Sequence, residues 1–273
     1  MSLTQSADNG LFGIASTFEN SEVIITPVPW EVTTSYGGGT ASGPEAVLNA
    51  SPQLDLWHPD FGKAYEKGIH LKEISALMKV ESDDLSQQAE MIQTALENFG
   101  ELSEPAAKSQ KNINEKCNDI NKWVYHETVK TMEAKKIPGL LGGDHSTPFG
   151  QIKALLQKKN FGILHIDAHA DLRQSYQGFE NSHASIMYNV MSLPKPPEKL
   201  VQVGIRDLCE EEFQVIESNS SIETFLDLNI KEQLFSGTTW DKVCDEIIKP
   251  LPASVYISLD VDGLDPAFCP NTG

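Results

Sequence analysis

Apolar positions along the chain change rhythm near its middle. Residues 22–29 form a β-branched run stopped by prolines, which predicts a first strand. Leu85, Ala89, Ile92, Leu96 and Phe99 then recur at helical spacing and predict a helix over 83–99. Ile113, Cys117, Ile120, Val124 and Met132 predict a longer amphipathic helix over 112–136, with the polar, unpatterned stretch 105–111 as a link between the two. Residues 1–20 carry no clear period and read as a loose or lightly docked segment.

From Pro138 onward the pattern becomes strand, loop, helix, repeated. Short apolar runs at 137–141, 161–166, 199–205, 222–226 and 254–259 predict strands. Stretches at 147–159, 184–192 and 240–248, with one more between the third and fourth of those strands, predict helices. Such alternation implies crossover connections and a mostly parallel sheet covered on both faces, within a single α/β domain over 1–273. In sheets of that kind ligands bind beyond the carboxyl ends of the strands.

Chemistry concentrates at those ends. The run ending at Leu141 leads into Gly142-Gly143-Asp144-His145-Ser146, where the glycines allow a tight turn that carries His145. The run ending at Ile166 leads into Asp167-Ala168-His169-Ala170-Asp171-Leu172-Arg173. In extended chain the two carboxylates and the imidazole at alternate positions share one face. Crowded there, they repel and desolvate each other unless a cation lies between them. The run ending at Leu259 leads into Asp260-Val261-Asp262-Gly263-Leu264-Asp265-Pro266, where Asp260 and Asp262 again share a face. Four carboxylates (Asp167, Asp171, Asp260, Asp262) and two imidazoles (His145, His169) exceed what one tetrahedral zinc takes, and suit two divalent ions with shared carboxylates. Oxygen-rich ligation points to Mn2+.

Composition narrows the partners. A net charge of −18 argues against nucleic acid; it would favour a small cationic substrate, and a merely soluble acidic surface explains it equally well. No run reaches the roughly 18–20 apolar residues of a membrane span, and no signal-peptide pattern opens the chain, so the expected location is the cytoplasm. The four cysteines are scattered without a CxxC pair and read as free thiols. The glycine-rich loop 35–44 lacks the lysine of a phosphate-binding loop; it reads as a turn or a flexible loop near a ligand, with Pro44 opening a helix.

Taken in order, GGDHS, DAHAD and SLDVDGLDP resemble the ureohydrolase (arginase–agmatinase) family, well from residue 137 onward and loosely before it. The resemblance implies a three-layer α/β/α fold with a mostly parallel central sheet. It also implies hydrolysis of a guanidino C–N bond to urea and an amine, by a hydroxide bridging two Mn2+ ions. Carried over by motif, His145, Asp167, Asp171 and Asp260 hold one ion, and His169, Asp167, Asp260 and Asp262 the other. Asp144 orients ligands, and Asp265 fixes its own loop. His183 matches a mobile-loop histidine that moves a proton to the leaving amine. Asp167 and Asp260, as bridging ligands, act in catalysis as well. Cys209 stands where arginases carry an amine-binding aspartate, while Asp171-Leu172-Arg173 with Tyr176 and His183 looks more like agmatinases. Agmatine is therefore the expected substrate, with arginine, other guanidino acids or formiminoglutamate as alternatives. The role of Arg173 stays open between a substrate carboxylate and Glu180. The resemblance further implies a homo-oligomer, trimer or hexamer, and a strand, a helix and a guanidinium-gripping carboxylate beyond residue 273. Two other classes fit less well. A dimetal phosphoesterase orders its motifs the other way round, and a catalytically silent metal-binding scaffold leaves the intact ligand set without a purpose.

Overall fold

A computed structural model describes residues 10–35 and 37–270. Residues 1–9 of the N-terminal segment, Tyr36 of the glycine-rich loop and residues 271–273 lie outside the described residues. The chain divides into two compact units, one running to Ala154 and including Gln177–Phe179, the other comprising Leu155–Tyr176 and the chain from Glu180. Among the described residues no helix is long and apolar enough to cross a membrane.

The first unit is built on β1 (Val23–Val28). After α1 (Gly43–Ala50), β2 (Ile69–Leu71) pairs with one edge of β1, and β3 (Ile137–Gly142) with the other. Both pairings are parallel. Between β2 and β3 run two long helices, α2 (Ala76–Phe99) and α3 (Glu104–Glu133). Their apolar stripes bury Leu85, Ala89, Ile92, Ile113, Cys117 and Val124 with Val28, Trp30 and Phe179. The Cys117 thiol is pushed up to about 12, mainly by burial and then by the nearby Asp144 charge, so it is a packing group here.

Two expectations are corrected in this unit. The stretch 105–111 belongs to α3, with Pro105 in its first turn, where a missing N–H costs nothing. It lacks an apolar stripe because that part of the helix lies mostly in solvent. α2 starts at Ala76, ahead of the recognisable stripe, because the Ser75 side chain accepts from Met78 N at 3.2 Å and caps the first turn. The short β2 was not expected from pattern. Residues from Leu11 on are docked: Phe12 N donates to Ser51 Oγ at 2.8 Å, and Ser16 Oγ to Ile69 O at 2.8 Å. α1 begins at Gly43, one residue before the proline expected to open it.

The chain passes through α4 (Phe149–Leu156) into the second unit. There, β4 (Gly162–Ile166), α5 (Ile186–Met191), β5 (Lys199–Ile205), α6 (Glu210–Ser218) and β6 (Ile222–Leu226) follow one another. α7 (Asp227–Phe235), α8 (Trp240–Ile248) and β7 (Val255–Leu259) complete it. The four strands lie in the order β6-β5-β4-β7, all parallel. Val201 of β5 packs with Ile230, Val243 and Ile247 of α7 and α8 on one face. α7 escaped the sequence reading because Ile230 is the one residue it buries, too little to write a stripe. β7 is an outer strand of this sheet, and Val255, Ile257 and Leu259 on one of its faces are 42%, 63% and 56% exposed.

Register brings the loops of the second unit together. Ile166, the last residue of β4, pairs with Val203 on one side and Leu259 on the other. The segments after β4, β5 and β7 therefore leave the sheet side by side. In the first unit the polypeptide after β3 folds tightly onto Trp30, with Gly143 N donating to Val28 O at 3.0 Å and Asp144 N to Trp30 O at 2.9 Å. A Cβ on Gly143 would stand 1.9 Å from Trp30 O, backbone that has nowhere to go. Gly143→Ala is expected to destabilise the protein by about 3 kcal/mol or more, read as a lowered midpoint of urea unfolding. An unchanged midpoint would contradict this packing.

Candidate metal centre

Asp167 is the first residue past β4 and is almost wholly buried, at 1% exposure. A carboxylate so placed needs partners, and it has donors on both oxygens. His169 N donates to Oδ1 at 2.7 Å, while Oδ2 lies 2.7 Å from His165 Nε2. Asp167, His169 and Asp262 present ligand atoms all within 4.8 Å of one another. His169 Nδ1 stands 3.1 Å from Asp262 Oδ2 and 3.6 Å from Asp167 Oδ1. Asp262 also accepts from Ala168 N at 3.1 Å. On its other side Asp167 comes within the same 4.8 Å of Asp171 and His165. Asp167 thus belongs to two separate groups of potential ligands, with His169 in one and Asp171 in the other.

The local backbone differs from the extended chain expected. Asp171 adopts φ +54°, a left-handed conformation rare for a residue with a side chain, so strict alternation ends there. That conformation is held from several sides. The Asp171 carbonyl accepts from Met187 N and Tyr188 N at 3.0 and 3.1 Å, and Leu172 N donates to buried Glu212 Oε1 at 3.0 Å. The third motif also leaves strand geometry, since Val261–Gly263 is a turn of 3-10 helix. Asp260 caps that turn, accepting from Asp262 N at 3.3 Å, so the two aspartates do not share a face in the strand sense. The close approach of this turn to the DAHAD segment requires Gly263, where a Cβ would meet Asp167 N at 2.9 Å. Arg206 of the Gly204-Ile205-Arg206-Asp207 segment donates through its guanidinium to the carbonyls of Asp262 and Leu264. Asp265 fixes its own loop by accepting from Ala267 N at 2.8 Å.

His145 and Asp144 lie in the first unit, just past β3, where Asp144 Oδ1 accepts from Ser146 N at 2.9 Å. In the second unit, His183 opens a short 3-10 turn, with its Nδ1 3.3 Å from Ser182 Oγ and its ring edge-on to Tyr176 at 6.0 Å. Arg173 stacks its guanidinium over Tyr176 at 4.6 Å and pairs with Glu212 at 3.5 Å. Cys209 caps α6, its N–H donating to Glu212 Oε2 at 2.9 Å. His58 and His70 have local roles, the first stacked on Phe61 and the second bonded to Ser16 O at 3.1 Å.

Sequence reading missed Glu212 and assigned no role to Arg206 or His165. Glu212 hides in the run Glu210-Glu211-Glu212, where only the third is buried. His165 sits inside an apolar strand, where its alternation with Ile163 is the one available signal.

The electrostatics fit a cation site. Hydrogen bonds to Asp167 and then to Asp262 raise His169 from an ordinary 6.5 to about 11, against the opposing effect of burial. The two carboxylates already draw one positive charge between them. An imidazole and oxygen ligands without a thiolate suit a hard divalent ion such as Mn2+.

A sequence model described as the arginase family matches residues 21–273. An N(1)-aminopropylagmatine ureohydrolase of Thermus thermophilus is 31% identical over 266 residues, spanning 96% of this chain and 75% of that protein. An agmatinase of Bacillus anthracis is 28% identical, over 94% of this chain and 73% of its own length. The agmatine ureohydrolase of Thermoplasma volcanium superposes with a TM-score of 0.65 at 23% identity, over 99% of this chain and 75% of that one. A likeness at that identity establishes the arginase-like fold.

Without metal, His169 stays protonated through neutral pH. Its contribution to stability is full below about 6.5 and is lost as pH rises toward about 11. Thermal unfolding in EDTA should therefore show stability falling across that window, and His169→Asn should flatten the decline. Equal slopes in the two proteins would contradict the ion pair.

Proposed function

Because the chain belongs to the arginase family of hydrolases, we propose that it hydrolyses agmatine to urea and putrescine with two Mn2+ ions bound. The observation that carries the reading is the double membership of Asp167, which shares one ligand group with His169 and Asp262 and another with Asp171. One buried carboxylate serving two groups is what a pair of ions with a common ligand needs. Motif position adds His145 and Asp260. In the proposed set His145, Asp167, Asp171 and Asp260 hold one ion, and His169, Asp167, Asp260 and Asp262 the other. Bound, the pair supplies Lewis acidity and lowers the pKa of the attacking water.

The protein's own groups do the rest. Hydrolysis adds water across the bond from the guanidino carbon to the alkyl nitrogen, and that nitrogen must gain a proton to leave as an amine. His183, beside Ser182 and Tyr176, is the proposed donor, since an imidazole nitrogen can hand a proton to a leaving amine. The chain's charge of −18 favours a cationic guanidinium electrostatically. Cys209 in place of an amine-binding aspartate supports a substrate without the α-amino acid head of arginine. The name of the Thermus relative favours N(1)-aminopropylagmatine as a second substrate. The proposal extends to a homo-oligomer, trimer or hexamer, in the cytoplasm.

A Mn2+-loaded urea-release screen over agmatine, N(1)-aminopropylagmatine, arginine, guanidinobutyrate and formiminoglutamate tests this reading. Urea should come from agmatine or its aminopropyl derivative ahead of arginine. His183→Ala should lower kcat by about 10²–10⁴-fold with Mn2+ content unchanged. No urea or formamide from any substrate, or hydrolysis of a phosphate ester alone, would overturn it.

A further inference from the structure

A line of polar groups, half-buried at Thr224 and fully buried at Gln202 and His165, crosses the second sheet beneath the ligand cluster. Thr224 of β6, Gln202 of β5 and His165 of β4 are neighbours across three strands, and His165 reaches Asp167. Gln202 and His165 are 0% exposed. Polar side chains in such a place are costly unless every hydrogen bond is made, and apolar residues would serve packing alone.

The direction of each bond follows from chemistry. The carbonyl of Ala170 can only accept, and it lies 2.6 Å from the Gln202 amide nitrogen. That contact fixes which end of the amide is nitrogen. The same nitrogen faces His165 Nδ1 at 3.0 Å, so Nδ1 must accept. The amide oxygen, at the other end, accepts from Thr224 Oγ1 at 2.9 Å. With Nδ1 committed as an acceptor, the ring proton of neutral His165 belongs on Nε2, which donates to Asp167 Oδ2 at 2.7 Å. A carboxylate oxygen has two lone pairs, so a donor on Oδ2 still permits a cation on that oxygen.

We propose that Thr224, Gln202 and His165 form a positioning device for the metal centre. His165 sets the plane of the Asp167 carboxylate, while Gln202 fixes both the tautomer of His165 and the backbone at Ala170, between His169 and Asp171. This rests on the reading of Asp167 as a shared metal ligand. None of the three touches substrate, and their effect runs through Asp167 and the 169–171 backbone. His165 is itself no metal ligand, because its Nδ1 lone pair takes the Gln202 proton and its Nε2 carries a proton of its own.

Two measurements test the device, one of them without metal. In the metal-free protein with 15N-labelled histidine, a long-range 1H–15N spectrum should show His165 as the Nε2–H tautomer, assigned by the signal lost in His165→Gln. An Nδ1–H tautomer or a doubly protonated ring would overturn the proposal. In Mn2+ titrations followed by electron paramagnetic resonance, His165→Phe and Gln202→Leu should weaken binding roughly 10- to 100-fold and reduce the exchange-coupled signal of the ion pair. His165→Gln, which keeps an amide donor, should recover part of that loss. Should the two apolar variants fail to fold, Thr224→Val removes only the outermost hydroxyl and should still weaken binding a few-fold. Wild-type affinity in every folded variant would overturn the proposal. If the wild-type protein binds no Mn2+, the proposed function fails instead, and the tautomer spectrum still decides this inference.

Discussion

The second unit depends on one buried carboxylate at the end of a strand. Asp167 gives up its water, and the groups around it divide the task of compensating. His165 and the His169 amide donate to its oxygens, and the His169 ring sits between it and Asp262. An isolated buried charge would cost several kcal/mol, so the surrounding loops are built to face it. Gly263 is glycine because the third motif must come against the Asp167 backbone, and Arg206 ties that turn down. The left-handed Asp171 is tolerated because Met187, Tyr188 and, one residue on, Glu212 hold its backbone.

The parallel sheet makes this convergence possible. Because Val203, Ile166 and Leu259 stand level across β5, β4 and β7, the loops after β4 and β7 begin at one line and that after β5 two residues beyond it. Short-range structure then sets the details, as where Asp260 caps a 3-10 turn and thereby turns Asp262 toward His169. The same chain uses Glu212 three times, as the partner of the Cys209 cap, of Leu172 N and of Arg173, so α6 is fastened to the segment that follows DAHAD.

Much of this was legible in the sequence, for a physical reason. Strands of β4, β5 and β7 are apolar runs ended by acidic or glycine-rich turns, and the alternation written after β4 ends at the left-handed Asp171. Motifs survive because ligand chemistry permits few residue types. The rest was hidden where neither rule applies. Residues 105–111 read as a link because an exposed helix has no apolar stripe to show. Ser75 extends α2 through a cap that periodicity does not register. The pairing of Arg173 with Glu212 depends on a fold that brings α6 beside the DAHAD segment. The Thr224–Gln202–His165 line depends on strand register, which a single strand's pattern does not contain.

The shared role of Asp167 is the central claim, and metal stoichiometry tests it most directly. Mn2+ bound at equilibrium should be two ions per chain, with Asp167→Asn losing both together. One ion per chain, or a variant that loses one ion and keeps the other at full affinity, would contradict the account.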